Sequence, residues 1–406
     1  MSDSSYSGDY DVVVIGGALV GGVLALSFAN SGKRVVLIDA QPITVPASAD
    51  VSGAGAVRTT AVAAGSVAIL DALTPQLSIA ALGSPIQRVH VSQQGFFGAT
   101  RIDAEEEGVR ALGYVVENLT MQSALYAALA AQPLITRAAP VVVHDIQQST
   151  TSVSVHTDHG LITAPWLVGV DGANSSVRKL CKISHTATDY EQSAVVSTVE
   201  AELPHQQTAY ERFTPQGPMA MLPMGTHSLS LIFTVDKEEV EAVLRSSDDE
   251  FRDQVQRTFG YRLGRLTRTG ARQAFPLRLQ ESDRQSAERV LLLGNAARSL
   301  HPVAGQGFNL AVRDMGALLA LVDAAAFEQD IPAALSAFVA QRKTDHQSTV
   351  RLTDFFARSF RGHNPVLSHL RGLGLIGLDV LPVARRRFAR RAMGLAVSLP
   401  DIRYPT

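Results

Sequence analysis

Val12-Val-Val-Ile-Gly-Gly-Ala-Leu-Val-Gly21 is the stretch that decides the fold. Its opening residues are apolar and β-branched, as suits a strand buried on both faces. The glycines fall where a strand must turn sharply into a helix, and the small residues let backbone N–H groups approach a pyrophosphate. Downstream, Leu19 to Asn30 is small and apolar enough for a buried helix, and Arg34 to Ile38 reads as a second short strand. This βαβ unit predicts a parallel sheet with covered faces and so an α/β, Rossmann-like fold. Asp39 ends the second strand 23 residues after Gly16, where a carboxylate accepts hydrogen bonds from adenosine ribose hydroxyls. Gly16, Gly17, Ala18, Gly21 and Asp39 are therefore candidate nucleotide contacts. Ala18 stands at the middle glycine of the usual G-x-G-x-x-G and adds one methyl group near the pyrophosphate.

Two features elsewhere test that reading. Gly372-Leu-Gly-Leu-Ile-Gly377 fits G-x-G-x-x-G literally, yet no strand precedes it and no βαβ unit follows, so context outweighs the pattern. From Val12 to Gly32 no residue is charged, about the length of a bilayer span. A membrane or signal segment is nevertheless not expected: Asp9 and Asp11 precede the run, four glycines interrupt it and a strand follows at once.

The chain has 406 residues, 46% hydrophobic and 18% charged, with a net charge of -2. That is enough for two packed cores or one composite core, and gives no global attraction to nucleic acid. Cys181 is the single cysteine, so neither an internal disulfide nor a redox cysteine pair can form, and redox work needs a bound cofactor. The histidines are scattered without H-E-x-x-H or Cys/His spacing, so no metal is expected. Buried-strand character returns at Trp166 to Val170 and Val290 to Leu293, which predicts a discontinuous first domain. Val141 to Val143, Ser152 to His156, Ala194 to Ala201, Tyr210 to Phe213 and Leu229 to Thr234 suit antiparallel strands of a second, β-rich layer. Helical patterns dominate from Gly307 to about Arg358.

Two distant segments bear on which nucleotide is held. Leu167-Val-Gly-Val-Asp-Gly-Ala-Asn-Ser-Ser-Val-Arg178 is a buried strand ending in an Asp-Gly turn, then a helix start that Asn174 or Ser175 can cap. Leu291-Leu-Leu-Gly-Asn-Ala-Ala-Arg-Ser-Leu-His-Pro-Val-Ala-Gly-Gln-Gly-Phe-Asn-Leu310 is a strand, a polar turn, a Pro/Gly loop and a helix. With the N-terminal turn, in this order and spacing, they resemble the FAD-dependent aromatic hydroxylases, whose fold is similar to para-hydroxybenzoate hydroxylase. Gly294-Asn-Ala-Ala, His301-Pro-Val-Ala-Gly-Gln-Gly-Phe-Asn-Leu, Val89-His-Val-Ser and Glu211-Arg-Phe-Thr-Pro-Gln-Gly-Pro-Met-Ala-Met-Leu-Pro-Met224 resemble the ubiquinone-biosynthesis hydroxylases, and among them the 2-polyprenyl-6-methoxyphenol hydroxylases.

The resemblance implies a discontinuous FAD-binding domain (1–82, 112–185 and 280–345), a β-sheet substrate domain (83–111 and 186–279) and a helical, basic C-terminal region (346–406). It implies non-covalent FAD, NADPH or NADH as co-substrate, O2, and a phenol bearing a polyprenyl chain. Asn295 would sit by the ribityl chain. Pro302, Ala304, Gly305, Gln306, Gly307 and Asn309 would lie along the isoalloxazine and pyrophosphate, and Arg58, Gln122 and Asp171 would contact FAD. The plainer readings are a surface arginine, a solvated glutamine and an aspartate that stabilises its own turn. Phe213, Met219, Met221, Leu222 and Pro223 lie on the segment that the resemblance puts over the flavin, although such a stripe also suits plain core. No general base is legible, and His301 is the one candidate, against a structural role before proline.

Arg385-Arg-Arg-Phe-Ala-Arg-Arg391, near apolar Leu373 to Leu381, suits a basic surface on a membrane that holds a polyprenyl substrate, or else a solvated face or subunit contact. The expected location is cytoplasmic, with peripheral contact at the inner face of the cytoplasmic membrane. The competing functions are a related flavoprotein acting on another phenol and a non-turning subunit of a quinone-biosynthesis complex. The sequence argues against a flavin halogenase, because Trp166 is the only tryptophan and that family's paired-tryptophan motif cannot be present.

Overall fold

The computed structural model describes residues 6, 8–44, 56–96, 98–300, 305–324, 326–359, 372, 374, 376–377 and 379–395. Its first layer is a six-stranded sheet ordered Ser286–Ala287, Val290–Leu292, Leu167–Gly169, Val12–Ile15, Val35–Ile38 and Ile135–Ala138. All neighbours are parallel except the first pair, and Val12 stands opposite Val35 while Val13 stands opposite Leu167. Strands pairing on both sides and packed on both faces have no polar side to show, and every residue of Val12–Ile15 and Val35–Ile38 is buried. Each such side chain contributes about 1.5–3 kcal/mol relative to exposure.

One face of this sheet packs on the helices Leu19–Asn30, Ala64–Leu73, Asn118–Ala131 and Gln306–Val322. Leu19–Asn30 is buried almost all round and stops where Gly32 adopts φ +83°, a conformation glycine enters without steric cost. The other face packs on a three-stranded antiparallel sheet, Val143–Gln148, Val153–Thr157 and Gly160–Ala164. The segments near Val143 and Val153 therefore cover the nucleotide sheet and take no part in the large β-layer.

That layer is a nine-stranded sheet containing Arg88–Gln93, Ala99–Asp103, His185–Ala201, Thr208–Thr214, Gly217–Pro223, Ser228–Asp236 and Gln273–Ser282. Its back is covered by Asp248–Phe259, started by a Ser247–Glu250 capping box, with Phe251 and Val255 in a core beside Met219, Met221 and Leu231. Three of the expected domain boundaries fall inside continuous elements, the 185–186 boundary at the start of strand His185–Ala201. Strand Gln273–Ser282 runs through 279–280 and the 29-residue helix Ile331–Ser359 runs through 345–346.

The helix Gln306–Val322 is clamped to Ile331–Ser359 by a buried ion network. Arg342 donates to Asp314 at 2.7 Å, His346 meets the same carboxylate oxygen at 2.8 Å, and Arg313 donates to Asp345 at 2.9 Å. Burial pushes the Asp314 carboxyl up, but the His346 hydrogen bond, then the charges of His346 and Arg342, outweigh it and hold it below the ordinary carboxylate range. The literal G-x-G-x-x-G at Gly372 is helical at every described position, so it forms no nucleotide turn.

Candidate active site

A cavity of about 1440 Å³ lies between the nucleotide sheet and the large sheet. The three loop segments that leave the parallel strands meet on its wall. Gly16, Ala18 and Asp39 come from the βαβ unit, Asp171 from the turn after Leu167–Gly169, and Gly294 and Asn295 from the turn after Val290–Leu292. Gly305, Gln306, Gly307 and Asn309 follow at the start of the next helix, and Arg58 and Gln122 also face the space. Gly17 and Gly21 stand behind this wall. A Cβ on Gly21 would lie 1.8 Å from the Gly16 carbonyl oxygen, and one on Gly16, at φ +116°, would lie 2.6 Å from the Val170 backbone. Only glycine permits the helix to start this close to the strand.

The polar groups of this wall fit a dinucleotide such as FAD. Helices Leu19–Asn30 and Gln306–Val322 both begin on the cavity, and neither has a capping side chain or an acid in its first turn. Their uncompensated N-termini suit an anion. Asp39 is fixed by the Gly17 N–H at 2.5 Å on one oxygen and the Gln41 N–H at 2.7 Å on the other, and each oxygen keeps a lone pair for a hydroxyl. Asp171 stabilises its own turn through Oδ2, which accepts from the Ser176 and Val177 N–H groups at 2.6 and 3.1 Å. Its Oδ1 is buried with no hydrogen-bond partner among the described residues, an acceptor that a bound ligand would satisfy. Gly307 has nothing within 4 Å of where a Cβ would stand, so its backbone borders open space.

Several candidates are already engaged. Asn309 donates to the Ala61 and Gly305 carbonyls at 2.9 and 2.7 Å and accepts from the Ala63 N–H at 2.8 Å, so its side chain ties the loop down. Gln122 donates to the Tyr126 hydroxyl at 2.6 Å, and the Arg58 guanidinium lies 4.7 Å from the Phe275 ring centre. Ser175 caps the helix Ser176–Leu180. Asn295 is exposed on the cavity wall. His301, Pro302 and Ala304 lie outside the described residues.

On the large sheet, strand alternation divides the expected pocket residues. Phe213 and Leu222 line the cavity together with Pro218, Ala220 and Ile232. Met219 and Met221 do not: they are 1% and 0% exposed in the core against Phe251 and Val255, and Pro223 shares their register. Successive residues of a strand point to opposite faces, so a run quoted whole mixes pocket and core. Across the space, Phe356 of Ile331–Ser359 stacks on Phe213 at 5.7 Å, and Phe388 of Pro382–Ala392 meets Phe356 edge-on at 6.3 Å.

The sequence reading missed Glu211. It occupies the cavity face of Thr208–Thr214 between Ala209 and Phe213. Surrounding protein desolvates its carboxyl and pushes its pKa up to about 8, and among the described residues no charge or hydrogen bond opposes that shift. The available signal was a lone acid at an inward position of an alternating strand.

Known proteins resemble this chain over most of its length. A family model for the FAD binding domain matches residues 9–353. Ubiquinone hydroxylase UbiL of Rhodospirillum rubrum is 32% identical over 389 residues, covering 95% of this chain and 89% of the relative. The 3-demethoxyubiquinol 3-hydroxylase of Escherichia coli is 30% identical over 390 residues, covering 95% and 98%. PqsL of Pseudomonas aeruginosa, described as a probable FAD-dependent monooxygenase, has a solved structure that matches with a TM-score of 0.74 at 20% identity. It covers 91% of this chain and 100% of its own, a likeness of fold.

Proposed function

The chain belongs to the FAD-binding-domain family, and on that premise we propose that it hydroxylates the ring of a polyprenyl methoxyphenol on the route to ubiquinone. The observation that carries this reading is one cavity with two unlike walls, a dinucleotide wall of helix N-termini and glycines and an apolar sheet wall. The relatives' names, a ubiquinone hydroxylase and a 3-demethoxyubiquinol 3-hydroxylase, support ubiquinone biosynthesis as the setting. FAD held here and reduced by NADH or NADPH would supply the O2 chemistry that puts one oxygen atom on an electron-rich ring and releases the other as water. The residues of this chain bind, orient and dry the site. The uncapped helix starts and Asp39 would hold the pyrophosphate and ribose, and Asp171, Asn295 and Gly307 would border the rest of the cofactor. Phe213, Leu222, Phe356 and Phe388 would hold an aromatic ring and keep water away from the activated oxygen.

We also propose peripheral contact with an anionic membrane. Helix Pro382–Ala392 carries exposed Arg386, Arg387, Arg390 and Arg391, and Val380, Leu381 and Val383 nearby are 68%, 58% and 68% exposed. Basic charge beside apolar residues suits a lipid surface. No described helix is long and apolar enough to cross a membrane.

The test is to purify the protein, record its visible spectrum and follow NAD(P)H oxidation with and without a polyprenyl methoxyphenol. A yellow protein that converts the phenol to a product heavier by one oxygen meets the proposal. A colourless protein that does not take up FAD sinks it, and FAD binding without hydroxylated product sinks the substrate assignment.

A further inference from the structure

We propose that Glu211 accepts the phenolic proton of the substrate and so activates the ring for oxygen transfer, an inference that rests on reading this cavity as a phenol site. The strand geometry places it there. Glu211 stands opposite Ala220 on one neighbouring strand and Val91 on the other, with Phe356 and Phe388 also lining the cavity. None of these is charged. Tyr210, next along the strand, packs edge-on against Phe259 on the opposite side. Among the described residues, the other charged groups of the cavity wall, Asp39, Arg58, Glu117 and Asp171, come from the nucleotide layer and its connecting segments, and burial is the one cause of the raised proton affinity of Glu211.

An unpaired carboxyl on an apolar wall is costly unless something uses it. Arg212, the adjacent residue, does not neutralise it: its guanidinium donates to the Thr258 carbonyl at 2.8 Å. A phenol hydroxyl is the complementary group, since it can donate to the carboxylate while its ring lies on the surrounding apolar side chains. The acidity also matches. A phenol of pKa about 10 is far from an ordinary glutamate at about 4.3, whereas a carboxyl raised to about 8 needs only a modest push to take that proton.

The step balances without another reagent. The phenolic O–H bond breaks, its electron pair stays on the oxygen, and the proton forms a new O–H bond on Glu211. The electron-rich ring then receives the oxygen atom. As the ring carbon releases its hydrogen as a proton to solvent and aromaticity returns, Glu211 gives its proton back to the phenolic oxygen and is again a carboxylate. Because the base form of Glu211 fills as pH rises through about 8, kcat should rise over the same range.

The test compares FAD-loaded wild type, Glu211→Gln and Glu211→Asp with a geranylated 2-methoxyphenol and with a ring-fluorinated analogue acidic enough to be ionised at the assay pH. FAD absorbance and melting temperature report folding. We expect Glu211→Gln to bind FAD as wild type does, to lose about 10²–10⁴-fold in kcat and to lose the alkaline rise. The deficit should nearly vanish with the ionised analogue, and Glu211→Asp should keep a reduced rate with the rise intact. A Glu211→Gln rate close to wild type, or an equal loss on both phenols with the rise retained, overturns the proposal. Wild type that holds FAD but neither binds nor hydroxylates either phenol overturns the phenol-site reading itself, and that failure shows without any variant.

Discussion

Arg178 donates through Nη1 to the Ala296 carbonyl at 2.9 Å, joining two segments 118 residues apart in the chain. Nη2 donates to the Ala173 carbonyl at 2.7 Å, and the side chain is 2% exposed. One guanidinium thus fixes the turn of Asp171 against the turn of Asn295. Arg178→Ala should lose about 3–6 kcal/mol, since it removes two charge-assisted hydrogen bonds that each contribute about 1.5–3 kcal/mol net. The check is urea unfolding together with FAD titration. Unchanged FAD affinity in a folded variant would show that the tether does not set the cofactor wall.

Gly21→Ala should abolish FAD binding or folding, because the added methyl overlaps the Gly16 carbonyl oxygen. Ala18→Gly should be tolerated and keep the visible flavin spectrum, since Ala18 is exposed in extended backbone where glycine also fits. A colourless Ala18→Gly, or a yellow and stable Gly21→Ala, would contradict this account of the turn.

Leu222 and Met221 are adjacent in sequence and opposite in role. Met221→Ala should cost about 2–5 kcal/mol by opening a core cavity, with little change in the hydrogen peroxide released per NAD(P)H oxidised. Leu222→Ala should cost less stability and raise that peroxide fraction, because its side chain lines the reaction cavity. Thermal melts and a peroxidase-coupled assay separate the two.

The Asp314 carboxyl is held low in the folded protein, below an unfolded value of about 3.9. Its contribution is therefore present above about pH 4 and lost as pH falls through the folded value. Asp314→Asn should cost about 3–5 kcal/mol at pH 7 by leaving Arg342 short of a buried partner. Its stability should fall less steeply than that of wild type in acid. Parallel slopes in pH-dependent unfolding would count against this.

Glutamine at Arg386, Arg387, Arg390 and Arg391 together should abolish sedimentation with phosphatidylserine vesicles and leave turnover of a short-chain phenol intact. Equal sedimentation of the variant would remove the basis for membrane contact.

The first βαβ unit was legible to within a residue or two, because a strand buried on both faces and a helix buried all round leave continuous apolar runs between glycine and charge. Met219 and Met221 were misplaced for a different reason. Composition marks the segment as apolar, but which alternate residues face the cavity depends on the pairing of Gly217–Pro223 with distant strands. The place of Glu211 on the cavity was invisible for the same reason, since the burial that raises its proton affinity comes from strands that sequence does not bring together. The Arg178 tether likewise requires the third dimension.

The 29-residue helix Ile331–Ser359 carries Asp345 in the ion network and Phe356 on the cavity. These positions are 11 residues apart, about 16 Å along one rod. One continuous helix therefore carries both a wall of the cavity and, through Asp345 and Arg313, the anchor of the helix that begins at Gln306.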